Sequence, residues 1–324
     1  MNDERYMRRC FELAKKGLGY VAPNPMVGAV IVHDGKIIGE GFHRKYGEAH
    51  AEVNAVNSVE DKSLLKESTI YVSLEPCSHW GKTPPCAKLL IESQFKRVVI
   101  SNLDPFPEVS GRGIKMLRDA GIEVVTGILE KEGYEINKRF FTFHTKHRPY
   151  IILKWAQSND GFIAGKDGKQ VMISTEETRR TVHRWRSEEM GILVGSNTAI
   201  LDNPSLTVRY WHGKNPTRIV LDRELKVPKE SKIFDNSAPT LLFTTKEATG
   251  YPDNVRIIQM NTCQQRFDME EVMTELYNHK IQSVIVEGGK QILESFLKLH
   301  LYDELRIETN KNLMIGEGIE APRL

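Results

Sequence analysis

Two spacings of apolar residues alternate along the first half of the chain. Tyr6, Met7, Cys10, Phe11, Leu13 and Ala14 recur at helical intervals and stop near Gly17, which predicts an amphipathic helix laid on a core. Val27–Val32 is a continuous apolar run; Asp34-Gly35 then marks a turn, and Ile37–Phe42 returns as the second arm of a hairpin. Ala49–Val56 is Ala-rich and reads as a helix. Strands are expected at Thr69–Ser73, Arg97–Ser101 and Glu123–Val125, and helices over Ala87–Ile91 and Gly113–Ala120. This alternation implies a mixed sheet covered by helices, with any site lying where helix N-termini meet strand ends.

The second half repeats the alternation but not the sequence. Arg139–Pro149, with Lys, His and Pro among aromatic residues, reads as the connection. Short apolar runs follow at Tyr150–Trp155, Gly191–Val194, Arg218–Leu221, Thr240–Thr244, Val255–Met260 and Ser283–Val286. Met269–Asn278 and Gln291–Leu299 are the clearest helices. A second α/β sheet is expected, giving domains over 1–147 and 148–324. Glu287-Gly288-Gly289 joins a strand to a helix, where small residues let backbone N–H groups meet a phosphate. A tight turn explains that pair better on its own, and no Gly-x-Gly-x-x-Gly fingerprint supports a Rossmann domain.

Composition narrows the function classes. Lys plus Arg number 45 against 43 Asp plus Glu, a net charge of +2, so nothing favours non-specific nucleic-acid binding. Residues Met1–Arg9 are polar and charged, with no apolar core for a signal peptide, and no later segment approaches a membrane span. A cytoplasmic enzyme with no nucleic-acid or membrane partner is expected, as a homo-oligomer.

The chemistry concentrates in Glu48-Ala49-His50-Ala51-Glu52 and in Glu75 to Cys86. One imidazole (His50) and two thiols (Cys77, Cys86) suit Zn²⁺ and leave its fourth tetrahedral position for water. Glu52 would then move protons, the arrangement of zinc deaminases. Residues at i and i+2 of a helix point apart, so His50 must lie in the entering turn with Glu52 reaching back. Pro84-Pro85 before Cys86 predicts a helix start, whose dipole favours the thiolate. A closed structural zinc with His79 as fourth ligand is the rival; it leaves Glu52 without a purpose. The chain has four cysteines; with two committed here, a disulfide framework is not indicated, and Cys10 and Cys263 are expected as core or partly buried thiols. Asn24, set between Pro23 and Pro25, His43, Lys82 and Asp104 could hold a polar, anionic substrate.

Three segments now carry a resemblance: Ala22–Val32, His50-Ala51-Glu52, and Glu75–Cys86 with Gly81-Lys82-Thr83-Pro84-Pro85 inside the eight-residue cysteine spacing. They resemble the bifunctional riboflavin-biosynthesis family RibD, and the spacing sets them apart from cytidine, guanine and tRNA-adenosine deaminases. The resemblance implies a cytidine-deaminase-like zinc domain followed by a dihydrofolate-reductase-like domain. It implies zinc at His50, Cys77 and Cys86, proton transfer by Glu52, and pyrimidine contacts from Asn24, His43, Lys82 and Asp104.

Leu153–Gly161, Leu201–Arg209 and Glu287-Gly288-Gly289 are similar to the family's reductase half. By position, Lys154, Gln170, Arg186, Leu206, Arg209 and Glu287 match the substrate side. Ala156, Met172, Thr198, Asp202 and Gly289 match the NADPH side. A guanidinium fork on Arg186 or Arg209 suits a ribose phosphate. The implied reactions are hydrolytic deamination of a phosphorylated diaminopyrimidinone, then NADPH-dependent reduction of its ribosyl group to ribityl.

The chain departs from the family at Phe106, Asn159 and Gln170–Ser174, and relatives generally continue beyond Leu324, so a C-terminally short reductase half is expected. The alternatives are a deaminase with an impaired reductase half, a nucleoside or tRNA deaminase, and a zinc-binding structural or regulatory module.

Overall fold

The computed structural model describes residues 2–80, 84–106, 110–262 and 266–324. They form two compact units, Met1–Lys146 and His147–Leu324. The first runs α1 (Asn2–Lys15), β1 (Gly28–His33), β2 (Lys36–Phe42), α2 (Ala51–Ser58), β3 (Thr69–Leu74), α3 (Cys86–Glu92), β4 (Arg97–Asn102), α4 (Arg112–Asp119), β5 (Glu123–Val125), α5 (Glu130–Ile136) and α6 (Lys138–Lys146). Its sheet has the order β2-β1-β3-β4-β5. The hairpin β1–β2 and the pair β1–β3 are antiparallel, while β3, β4 and β5 are parallel.

Both faces of this sheet are covered, which explains the unbroken apolar runs. Successive side chains of a strand point to opposite faces. Ala29, Ile31, Ile70, Val72, Val98 and Ile100 accordingly pack with Ala55, Leu90 and Leu117 from helices on one side. Val30, Val32, Tyr71 and Val99 meet Tyr6, Met7, Cys10 and Phe11 of α1 on the other. Cys10 is a fully buried core thiol, as expected; Cys263 lies outside the described residues. The helix α2 lies directly on β2 because Gly41 has no side chain: a Cβ there would stand 2.3 Å from Ala55 N and 2.4 Å from Ala51 O.

The second unit runs β6 (Tyr150–Ser158), β7 (Phe162–Gly165), α7 (Glu176–Glu188), β8 (Gly191–Gly195), α8 (Ser196–Asp202), β9 (Thr217–Leu221), β10 (Thr240–Thr244), β11 (Val255–Gln259), α9 (Met269–Asn278), β12 (Ser283–Val286), α10 (Lys290–Lys298), β13 (Glu304–Asn310) and β14 (Gly318–Glu320). Seven strands form one parallel sheet, β11-β10-β9-β8-β12-β6-β13, and β7 pairs with β14 in a separate ribbon. Ile151, Leu153, Leu193 and Val286 face α9 and α10; Ile152, Ile192, Val194 and Ile285 face the opposite layer with Phe234. No helix among the described residues is long and apolar enough to cross a membrane.

Two readings of the sequence change. The aromatic stretch expected as a connection is largely the helix α6: Phe140, Phe141 and Phe143 are buried, and Phe141 N–H donates to Asn137 O. Lys146 is exposed at its end, while Lys138 is partly buried and His144 packs against Phe140 and Phe143, as in an amphipathic helix. The helix α7 and the strand β13 were not anticipated. α7 carries many charged residues and few apolar ones, so propensity and its Thr175 cap hold it more than an apolar stripe does. β13 is only partly buried along its length, so it lacks the continuous apolar run of its neighbours.

Asn137 fastens the segment that carries Asn24. Its buried amide accepts from Met26 N–H and donates to Met26 O, both at 2.8 Å. Asn137→Ala strands two buried backbone groups and is expected to cost roughly 2 kcal/mol, read as a lower urea midpoint at unchanged m-value.

Candidate active sites

His50 is the N-cap of α2 with extended backbone (φ −71, ψ 167), and its side chain makes no capping bond. Its imidazole is thereby turned away from its own helix. Cys77 follows the end of β3, and Cys86 opens α3 after Pro85. Three elements thus deliver one donor each, and the ligand atoms of His50, Cys77 and Cys86 lie within 4.8 Å of one another. His50 Nδ1 faces both sulfurs, at 3.6 Å from Cys77 and 3.4 Å from Cys86. The Cys86 N–H donates to Cys77 Sγ at 3.3 Å. Cys77 is pulled far below the ordinary thiol range by the Cys86 hydrogen bond first, against desolvation, with His50 assisting. Cys86 is shifted the other way, its thiol raised by the hydrogen bond to Cys77 and by burial. One nitrogen and two sulfurs, one of them held toward thiolate, are the donor chemistry of zinc, so the residues fit the metal.

Glu52 is 3 % exposed on the inner side of α2. Burial pushes its carboxyl up to about 7, partly offset by His50. It exchanges a hydrogen bond with Cys86, which places the carboxyl beside the three donors as the sequence required. Around them, His43 Nδ1 meets Ala49 O at 3.1 Å, and His43 Nε2 meets the Asn24 amide at 3.1 Å. Donation to the carbonyl leaves Nε2 as the acceptor. The His43 ring stands edge-on to His50, centroids 5.3 Å apart. Asp104 is buried just past β4, and its Oδ1 accepts from Phe106 N–H at 2.8 Å. Desolvation raises its carboxyl to about 6, and it feels the charge of Cys77. Asn24, His43 and Asp104 therefore gather at the donor cluster; Lys82 lies outside the described residues.

In the second unit a cavity of about 780 Å³ opens beyond the carboxyl ends of β6, β8 and β12, where open parallel sheets place ligands. Lys154, Ala156, Gln170, Met172, Arg186 and Thr198 line it, as do Asp202, Arg209, Glu287 and Gly289. Leu206 does not: its side chain is buried in the core beside Val220 and Phe234. Arg186 and Glu287, expected as separate substrate contacts, are joined. Nε to Oε1 is 2.9 Å and Nη2 to Oε2 is 2.7 Å, a two-pronged pair with both side chains largely buried. This fork is spent on Glu287, and Arg209 is the exposed guanidinium on the cavity. Gly289 N–H likewise has a partner within the fold, donating to Thr198 Oγ1 at 2.9 Å.

Comparison with known proteins bears on both units. Residues 149–319 match the model of the RibD C-terminal domain, and residues 1–102 match the cytidine and deoxycytidylate deaminase zinc-binding region. The riboflavin biosynthesis protein RibD of Aquifex aeolicus is 43 % identical over 98 % of this chain and 89 % of its own. The Escherichia coli RibD is 38 % identical over 94 % of this chain and 86 % of its own. The chain belongs to the RibD family.

A solved diaminohydroxyphosphoribosylaminopyrimidine deaminase/5-amino-6-(5-phosphoribosylamino)uracil reductase from Thermotoga maritima superposes with a TM-score of 0.89. It is 41 % identical and covers 98 % of this chain and 89 % of its own. Acinetobacter baumannii RibD gives the same score at 34 % identity, covering 99 % of this chain and 89 % of its own. RibD is a bifunctional deaminase and reductase of riboflavin biosynthesis acting on small phosphorylated pyrimidines, with zinc in the first domain and NADPH in the second.

Of the departures from the RibD pattern, Phe106 lies in the first unit beside Asp104, while Asn159 and the cavity-lining Gln170–Ser174 lie in the second. Asn159 N–H donates to Leu313 O, so that position contributes backbone. Met172 is 70 % exposed. Its segment is pinned by Ser174 Oγ donating to Glu308 at 2.9 Å and by Asn310 donating to Ile173 O at 2.7 Å.

Several cavity residues escaped sequence reasoning, Arg179 and His183 among them. His183 is buried between Arg186 and Arg209, and its Nδ1 accepts the Arg209 N–H at 2.9 Å. Arg179, His183 and Arg186 recur at i, i+4 and i+7 on α7 and all line the cavity, a stripe visible only once the segment is read as helical.

These two buried groups set an acid sensitivity. Burial, then Arg186 and Arg209, hold His183 down at about 4. Glu287 would be raised by burial, but Arg186 overrides this and holds it at about 2. Both folded values lie below the unfolded ones, near 6.5 and 4.3. Each contribution is therefore complete above the unfolded value and is lost as pH falls through the folded one. Unfolding free energy of the full chain should decline from about pH 6.5 to 4 through His183 and from about pH 4.3 to 2 through Glu287. His183→Asn is expected to flatten the upper slope and leave the lower one.

Proposed function

We propose that residues 1–147 deaminate 2,5-diamino-6-ribosylamino-4(3H)-pyrimidinone 5′-phosphate and that residues 148–324 reduce the ribosyl group of the product. The convergence of His50, Cys77 and Cys86 within 4.8 Å, beside the buried Glu52, carries the reading.

His50, Cys77 and Cys86 would hold the zinc, which supplies the Lewis acidity that makes water a nucleophile near neutral pH. Glu52 takes the proton from the attacking water and delivers protons to the ring nitrogen and to the departing ammonia. Its burial keeps bulk water from competing for that proton. The C–O bond forms first, as the ring nitrogen is protonated, and the exocyclic C–N bond then breaks, so water is consumed and ammonia released. Asn24 and His43, fixed by each other and by the Ala49 carbonyl, orient the ring, and Asp104 accepts hydrogen bonds from its amino groups. Lys82 is assigned to the phosphate side.

In the second unit the cavity would hold NADPH, whose nicotinamide would supply the hydride for reduction at the ribose C1′, and the protein supplies position and charge. Lys154 and Arg209 bring positive charge to the phosphorylated ribose, and Gln170 completes the substrate side. The Arg186–Glu287 pair presents a fixed carboxylate to the sugar hydroxyls. Ala156, Met172, Thr198, Asp202 and Gly289 are assigned to the nucleotide. The near-balanced charge of +2 speaks against non-specific nucleic-acid binding; we assign the enzyme to the cytoplasm, without a membrane partner, as a homo-oligomer.

Glu52→Gln should retain zinc, measured by elemental analysis, while deamination falls at least about a hundredfold and reduction of the aminouracil product persists. Retained turnover would remove Glu52 from this role. Chelation should abolish the first reaction alone, with mass spectrometry following both products.

A further inference from the structure

Glu75 is a buried carboxylate that the chemistry above does not use. It stands at the end of β3, two residues before Cys77, and is 4 % exposed. Its neighbours are backbone amides. Oε2 accepts from Asp104 N–H at 3.3 Å and from Gly111 N–H at 3.0 Å; Oε1 accepts from Gly113 N–H at 3.1 Å and from Ile114 N–H at 3.4 Å. These four donors lie at both ends of the connection between β4 and α4. Gly111, the N-cap of α4, has no side chain with which to cap, so Glu75 supplies the missing acceptor from another strand. The approach is close: a Cβ on Gly113 would sit 2.2 Å from Pro76 O. Glu75 N–H in turn donates to Asn102 O at 2.9 Å, continuing the β3–β4 pairing past its last strand residues.

One side chain therefore fixes the strand end that delivers Cys77 against the backbone that delivers Asp104. We propose that Glu75 is a positioning residue for deamination, setting where Asp104 meets the pyrimidine relative to the metal donors. The proposal rests on the reading of Asp104 as a substrate contact. A fixed offset matters because a displacement near 1 Å at a reacting centre costs up to about a hundredfold.

The test uses the full chain loaded with zinc. Glu75→Gln keeps the volume but turns one oxygen into an NH₂, which faces two N–H donors and releases them. The expected result is unchanged zinc content, unchanged reduction of the aminouracil substrate, and a KM for deamination raised about ten- to a hundredfold. Asp104→Ala should raise KM similarly, and the double variant should be no worse than Asp104→Ala alone, since the two act as one unit.

A lowered Tm with normal KM would make Glu75 a helix cap and nothing more, overturning the proposal; loss of zinc would overturn it too. A raised KM in Asp104→Ala with a normal one in Glu75→Gln would overturn it while leaving the Asp104 reading intact. A normal KM in Asp104→Ala would take down that reading and the proposal together. Should Glu75→Gln fail to fold, Gly113→Ala decides: it presses a methyl on Pro76 O and leaves the carboxylate in place. The same KM rise supports the proposal, and a normal KM overturns it.

Discussion

A charge taken out of water must be met by donors or by an opposite charge, and the architecture of both units follows from how that need is met. Glu287 is met by the fork of Arg186. The thiols of Cys77 and Cys86 share charge with His50. Glu75 is met by four backbone N–H groups and, among the described residues, by no cation. Glu52 has none of these in full, and its carboxyl is displaced upward as a result. Of these three carboxylates, the one without such partners is the one assigned to move protons, which fits the general pattern that reactive groups sit where solvation is withheld.

The fold prepares these places through backbone proximity. Parallel strands end together, and the loops that leave them converge on one crevice. In the first unit the ends of β3 and β4 provide Cys77 and Asp104, while Gly41 lets α2 settle on β2 so that His50 arrives at the same point. In the second unit the ends of β6, β8 and β12 do the corresponding work, with the β7–β14 ribbon bordering the cavity through Ile163, Ala164 and Ile319.

Much of this was legible in the residues. Runs buried on both faces announced the strands, and His50, Glu52, Cys77 and Cys86 announced a metal site because few other chemistries use that set. What stayed hidden was relational. Nothing in the sequence states that Arg186 and Glu287, 101 residues apart, spend their hydrogen bonds on each other. α7 was missed because its face toward the cavity is cationic, so no apolar period betrays it. The stretch after Lys138 was read as a connection because its aromatics are interleaved with Lys and His, which is also how an amphipathic helix looks.

The clamp on the β4–α4 connection bears on how such a centre could be transplanted. The short motifs that identify the metal site, copied onto another scaffold, would bring the donors but leave behind the carboxylate that measures the gap between two strand ends. The smallest portable module is therefore the pair of neighbouring parallel strands with the helix start that follows the second, together with the helix start that brings His50 and Glu52, carried as one piece. A designer who respects that boundary inherits the spacing without having to rebuild it.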